Sequence, residues 1–310
     1  TSYTPEEKFY IAKNHLVKKQ IAMHGMSGND IRFTDGALRL IIETYTREAG
    51  VRRLEQTIAK ICRKAVVKLN DENIRRVSVN CDIVQEFLGP QKYKNDKLPS
   101  KDSVGVVNGL AWTSVGGEML QVEAVIMEGN GQLELTGSLG DVMKESAKAA
   151  FSYIKSKADR YGIDISSLSK KNVHIHVPQG AVPKDGPSAG VTIATALLSV
   201  LTDKPVDRKI AMTGEITLTG RVLPIGGLRE KSMAAYKAGI KKVIIPKDNY
   251  ADLWEIDSAV KENVEFIPVS TVDEVLSVAI VNEGTDSKAS LIFSPHDVVI
   301  KDRRKKSEIR

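Results

Sequence analysis

The sequence predicts a multidomain chain: an α-helical unit over residues 1–90, a linker over 91–103, an α+β domain over 104–280 and a basic tail over 281–310. Three observations predict it. In the first ninety residues apolar positions recur at the spacing of helix faces. Residues 91–103 are polar and lack periodicity. Beyond them, strand-like runs alternate with helix-like ones. A length of 310 residues leaves room for two cores.

Taken in order, Thr4, Pro5 and Glu7 form a capping-box start, with Pro5 at the first helical position. A second helix is predicted over 35–49, with Gly50 as its stop. The third is the clearest, because Leu54, Ile58, Ile61, Cys62, Ala65, Val66 and Leu69 follow one helical face. Cys62 lies on that stripe and reads as a small core residue. A short strand at 77–79 and a helix over 82–88 follow, and Gly89-Pro90 ends the bundle. In the second domain, strands are predicted over 104–113, 119–127 and 132–135, the last two joined through a Gly129-Asn130-Gly131 hairpin turn. A long helix over 139–161 takes Ser138 as its N-cap. Strands over 172–177, 210–213 and 242–245 alternate with helices over 189–201 and 228–238. A strand–helix pair over 264–280 closes the domain, and 290–310 is expected to be mobile.

Composition excludes several classes. Apolar content of 42% and charged content of 27% are those of an ordinary soluble globular protein. No apolar run approaches the roughly 20 residues that span a bilayer, and no signal-peptide pattern opens the chain. Two cysteines, Cys62 and Cys81, make no disulfide framework and fit a reducing compartment, so a cytoplasmic location, or a comparable organelle matrix, is expected. Of the net charge of +6, the last ten residues hold +4, with six basic and two acidic side chains. That is a basic tail and not a basic face.

Chemistry concentrates in two segments. Ser188 stands in Pro183-Lys184-Asp185-Gly186-Pro187-Ser188-Ala189-Gly190, where a helix is predicted to begin. A serine there often only caps the helix. Gly186 and Gly190, however, leave the backbone open to a substrate carbonyl, and free amides at a helix start can stabilise an oxyanion. Lys231 follows in Gly226-Gly227-Leu228-Arg229-Glu230-Lys231, in the first turn of another predicted helix. The positive end of that helix and burial would both lower its pKa, making it a candidate base for the serine hydroxyl. A solvated surface lysine is the plainer reading. A triad of Ser188, His176 and Asp185 is the rival, since His174 and His176 share one side of a predicted strand. Those two histidines as half a zinc site lack an acidic or cysteine partner at ligand spacing.

These segments resemble a known family. The run from His176-Val177-Pro178-Gln179-Gly180-Ala181 through Gly190 is similar to the nucleophile motif of Lon proteases. The run Thr213-Gly214-Glu215-Ile216-Thr217-Leu218-Thr219-Gly220-Arg221-Val222-Leu223-Pro224-Ile225 through Lys231 resembles that family's lysine motif, 43 residues after Ser188. The likeness extends over residues 1 to about 280. It implies a helical AAA+ small subdomain followed by an α+β Lon-type proteolytic domain. It implies Ser188 as nucleophile, Lys231 as general base, Thr213 as a hydrogen-bond partner of that lysine, and Asp185 as an acidic loop residue that in some members pairs with it in an inactive form. Glu215 and His176 match further positions around the site, with strand-end structural roles as the plain alternative.

In the first ninety residues, Gly50-Val51-Arg52 matches the family's nucleotide-sensing arginine, although Arg52 also reads as an exposed helix-start residue pairing with Glu55 or Glu48. No Gly-x-x-x-x-Gly-Lys-Ser/Thr phosphate loop occurs in these 310 residues. The chain therefore resembles a carboxyl-terminal fragment with at most ATP-independent peptidase activity. For the full-length enzyme the resemblance implies ATP with Mg2+, a homohexamer, unfolded or tagged protein substrates, and DNA binding, which here only the tail otherwise suggests. The dyad itself needs no cofactor. Two alternatives remain: a self-inhibited, non-catalytic peptide-binding or assembly module, and a nucleic-acid-binding module.

Overall fold

A computed structural model describes residues 3–71, 74–93, 98, 100–113, 116–178 and 184–281. The expected basic tail from 282 onward, and parts of the expected linker, lie outside them. The helical unit runs α1 (Pro5–Ile11), a π-helical turn, α2 (Val17–Met23), β1 (Ile31–Phe33), α3 (Asp35–Thr44), α4 (Arg52–Asp71), β2 (Val77–Val79) and α5 (Cys81–Leu88). Its α1 opens with the predicted capping box: Glu7 N–H donates to Thr4 Oγ1, and Thr4 N–H to Glu7 Oε2. One buried cluster holds the unit together, with Leu54, Ile58, Ile61 and Cys62 all from the predicted stripe of α4. Burial pushes the Cys62 thiol up to about 11, which suits a core residue and not a nucleophile.

Two local readings fail here. The second helix stops at Thr44, well short of 49; past it the Thr46 hydroxyl donates to the Ile41 and Ile42 carbonyls. The strand Ile31–Phe33 is absent from the sequence reading; it pairs in parallel with Val77–Val79, a partner 46 residues on.

The second unit runs β3 (Val106–Thr113), β4 (Gly116–Glu128), β5 (Leu133–Thr136), α6 (Asp141–Ser156), α7 (Ile165–Leu168), β6 (Lys171–His176), α8 (Gly190–Thr202), β7 (Ile210–Met212), β8 (Glu215–Ile216), β9 (Val222–Leu223), α9 (Leu228–Lys237), β10 (Lys242–Pro246), α10 (Ser258–Asn263), β11 (Glu265–Val269) and α11 (Val272–Ala279). Seven strands form one mixed sheet in the order β11-β10-β7-β3-β4-β6-β5. One buried cluster joins the sheet to α6, α8 and α11; another joins it to α9 and α10. Helix α8 is buried along its whole run from Gly190 to Ser199.

The Gly129-Asn130-Gly131 turn is not a hairpin. β6 slots between β4 and β5, pairing antiparallel with the first and parallel with the second. Asn172 Oδ1 fastens the turn by accepting the Asn130 and Gln132 amides. Nor is Ser138 an N-cap. It adopts a left-handed backbone (φ 59°), and α6 starts after Gly140, ending at Ser156 before a 3-10 turn. No helix among the described residues is long and apolar enough to cross a membrane.

Candidate active site

The site assembles where α8 begins, β7 ends and α9 begins. A 3-10 turn, Pro187–Ala189, leads into α8 and carries Ser188. The Ser188 hydroxyl makes no capping bond to either helix start, so the capping reading falls away. Instead the residue is held by its backbone: its carbonyl accepts the Gly214 N–H at 2.9 Å, and the Val191 N–H returns a bond to the Gly214 carbonyl at 3.1 Å. That clamp fixes the turn to the chain leaving β7. The Gly190 and Val191 amides are spent on the Pro187 and Gly214 carbonyls, so the oxyanion site expected of the helix start cannot use them.

Lys231 is 2% exposed, which excludes the surface-lysine reading. Its Nζ donates to Thr213 Oγ1 at 3.1 Å, and Thr213 Oγ1 donates in turn to the Ser188 carbonyl at 3.4 Å. With the hydroxyl proton committed to Ser188, the threonine offers the lysine a lone pair. Burial lowers the Lys231 pKa to about 8. Ser188 and Lys231 line the same cleft, of about 350 Å³, with Trp112, Met143 and Ile225 among its walls.

Sequence reasoning missed what brings Lys231 this deep. Gly117 on β4 lies against α9 so closely that a Cβ there would overlap the Glu230 carbonyl and crowd the Lys231 amide. Glycine inside a strand is the signal for such an approach. Trp112, 59% exposed and packed over Gly227, was also missed.

Asp185 turns away from the lysine. Its Oδ1 accepts the Met143 amide at 3.0 Å, in the first turn of α6, and its own carboxyl group overlies Gly140 where no side chain could fit. The Gly140 N–H donates to the Lys184 carbonyl at 2.7 Å and the Ser146 hydroxyl to the Pro187 carbonyl at 3.3 Å, so the segment before Ser188 is laced to α6. The inward, lysine-paired form of Asp185 is thus not the one seen. The triad is not brought together either. His176 is exposed and its Nδ1 meets Thr136 Oγ1 at 2.7 Å, the same hydroxyl that meets His174 Nε2 at 2.8 Å. No metal-holding group of His, Cys, Asp or Glu occurs among the described residues. Glu215 opens β8, half-buried, opposite Leu223 and outside the cleft walls.

Arg52 opens α4 and is exposed. Neither expected carboxylate pairs with it. Glu48 caps α4 through the Arg53 and Leu54 amides, and Glu55 takes Lys19 and Gln20. Because Glu48 fills the α4 start, that end offers no amide cradle to phosphate, and among the described residues the Arg52 guanidinium has no ion-pair partner.

Comparison with known proteins gives the family. A family model for the Lon protease (S16) C-terminal proteolytic domain matches residues 78–282. One for the Lon protease AAA+ ATPase lid domain matches residues 22–77. The chain is 52% identical over 282 residues to Lon protease of Clostridium acetobutylicum, covering 91% of this chain and 36% of the relative. Against Lon protease of Vibrio parahaemolyticus it is 52% identical over 286 residues, 92% of this chain and 36% of the relative. With Lon protease 1 of Bacillus subtilis it shares 51% over 281 residues, again 91% and 36%. The chain thus spans about a third of the length of the curated relatives it matches.

Proposed function

The chain belongs to the Lon protease family, and from that premise we propose that its second unit is a serine endopeptidase working through a Ser188–Lys231 dyad. One observation carries the reading: a buried lysine, lowered to about 8, shares a cleft with a serine whose hydroxyl caps nothing. Neutral Lys231 accepts the Ser188 proton as Oγ bonds to the scissile carbonyl carbon. The resulting ammonium returns the proton to the departing amine nitrogen as the C–N bond breaks. Water then cleaves the acyl ester by the same base. Thr213 holds the amine so that its lone pair faces the serine and not the core.

Asp185, bound to α6, supports a state in which the dyad is unblocked. His176 and Glu215 are proposed to be structural, as their surroundings suit strand ends. ATP with Mg2+, hexamer formation and capture of unfolded or tagged proteins are assigned to the full-length protein. When bound, ATP would supply the work of unfolding and threading; Arg52 is the residue here suited to touch it. The 310-residue chain is expected to cut small or unstructured polypeptides slowly and without ATP.

A fluorogenic peptide and casein test this. Ser188→Ala and Lys231→Ala should each abolish cleavage, while His176→Ala should leave most of it. Unchanged turnover in both dyad variants would sink the reading.

A further inference from the structure

We propose that Arg229 is a positioning residue for Lys231, anchoring the first turn of α9 to the helical unit through Glu7. The inference rests on the dyad reading above. Residues two apart on a helix point to nearly opposite sides, since each step turns the chain by about 100°. Lys231 therefore faces the cleft while Arg229 faces α1, where its guanidinium meets Glu7 Oε1 at 3.3 Å. The same carboxylate spends Oε2 on the Thr4 amide at 2.6 Å, so it is fixed before Arg229 arrives. Arg229 Nε is buried with no partner among the described residues, which places the root of this side chain inside the contact and not in solvent.

A second anchor flanks the first. Arg47, just beyond α3, pairs with Glu118 on β4, the neighbour of Gly117. Gly117 is where the Glu230 carbonyl lands. Both ion pairs thus bracket the one spot where the Lys231 backbone seats on the sheet. A turn held from both sides keeps Lys231 out of water, and dryness is what makes it a base near neutrality. The other charged groups on the cleft wall are Lys184 and Asp185 ahead of the 3-10 turn, with Glu118 on β4; Glu230 lies on α9 itself. Asp185 is bound to α6, and Glu118 acts on Lys184 and Arg47.

The proposal separates from simple electrostatics by sign. Glu7→Gln removes a negative charge but keeps a residue suited to the capping box. If charge alone mattered, the unpaired Arg229 would push the Lys231 pKa down. If position matters, the loosened turn admits water and the pKa rises. The pair is partly exposed, 29% at Arg229 and 46% at Glu7, so the shift expected is modest: about half a unit, or roughly a threefold loss of neutral lysine at pH 7.

The experiment is an NMR titration of the 310-residue chain carrying 13Cε-lysine, with Lys231→Arg identifying the resonance. Glu7→Gln and Arg229→Gln should both raise the Lys231 pKa, and Arg229→Lys should restore it. Peptidase rates should fall about threefold at pH 7 in the two Gln variants, and the deficit should close above about pH 10. An unchanged or lowered Lys231 pKa in Glu7→Gln overturns the proposal, whatever the activity. If the pKa moves as expected but Lys231→Ala still cleaves, the positioning stands and the dyad reading fails. Should Arg229→Gln not fold, Glu7→Gln with the Arg47→Gln variant gives the same comparison from the other side.

Discussion

Lys231 Nζ donates a hydrogen bond to Thr213 Oγ1 at 3.1 Å inside a site that is closed to solvent on the lysine side. The threonine proton is already given to the Ser188 carbonyl, so this one hydroxyl ties Lys231 to the turn that carries Ser188. Thr213→Val keeps the shape and removes the hydroxyl. The freed amine then has no fixed lone-pair direction, and the Ser188 turn loses one of its two ties to residues 213 and 214. Peptidase kcat should fall by one to two orders of magnitude with KM little changed, on the scale of about 1.4 kcal/mol per tenfold. Steady-state kinetics on a fluorogenic peptide checks it; an unaltered kcat would show that Thr213 only fills space.

In the proposed dyad, the lysine pKa of about 8 sets the pH dependence expected of the rate. Only neutral Lys231 can take the serine proton, so kcat/KM should climb tenfold per unit below that value and level off above it. At pH 7 about a tenth of the molecules hold the base form. A histidine-dependent enzyme would instead rise through the region near 6.5. A pH–rate profile between 6 and 10 distinguishes the two by about 1.5 units in the inflection.

The same burial has a cost in stability. Because the folded pKa lies below the unfolded value of 10.5, the charged lysine is disfavoured in the native state. That penalty is fully present below pH 8 and lifts as the pH rises from 8 to 10.5. Lys231→Met should therefore be inactive yet more stable than the parent at pH 7. The full penalty is on the order of 3 kcal/mol, less about 1 for the lost Thr213 bond, so a gain of about 2 kcal/mol is expected. Urea melts at pH 7 and pH 10.5 should show this gain shrinking to nothing at the higher pH; a variant less stable at both would contradict it.

Much of this site was legible because its chemistry is local. Ser188 and Lys231 each stand among glycines at a helix start, and the spacing between them carries the family likeness. What the sequence hid depends on distant partners. The hairpin reading of Gly129-Asn130-Gly131 was sound chemistry for a turn, but β6 arrives from 40 residues on and takes the place between the strands. Ser138 looked like the N-cap of α6, yet Gly140 starts that helix with no side chain of its own. Its capping carboxylate comes from Asp185, beyond β6. Nothing near Asp185 in sequence announces that role. Likewise, Gly117 makes sense only once α9 lies across it.

Asp185 offers the sharpest contrast between an open and a self-inhibited enzyme. Bound to the Met143 amide, it supports α6 and the segment that carries Ser188. Asp185→Ala should cost about 1 kcal/mol, as cap removal does, and lower peptidase activity by loosening that segment. Asp185→Asn keeps an acceptor oxygen and should recover most of both losses. An enzyme restrained by an Asp185–Lys231 pair would respond in the opposite sense, with activity rising in both variants. Activity and thermal melts measured on the same preparations decide between them.

Gly117 tests whether the seat of α9 matters to the base. A Cβ at this position overlaps the Glu230 carbonyl, and backbone cannot rotate aside as a side chain can. The first turn of α9 must lift, carrying the Lys231 backbone with it. Overpacking of this kind costs about 1–3 kcal/mol. Gly117→Ala should thus lose both stability and activity. Gly116→Ala, where no atom stands within reach of a Cβ, serves as the neighbour control, although its positive φ adds its own strain. The informative readout is the pH–rate profile of whatever activity remains. A lifted turn admits water to Lys231, so the inflection should move up from about 8 toward the ordinary lysine value. Lost activity with an unmoved inflection would mean that Gly117 shapes the cleft without tuning its base.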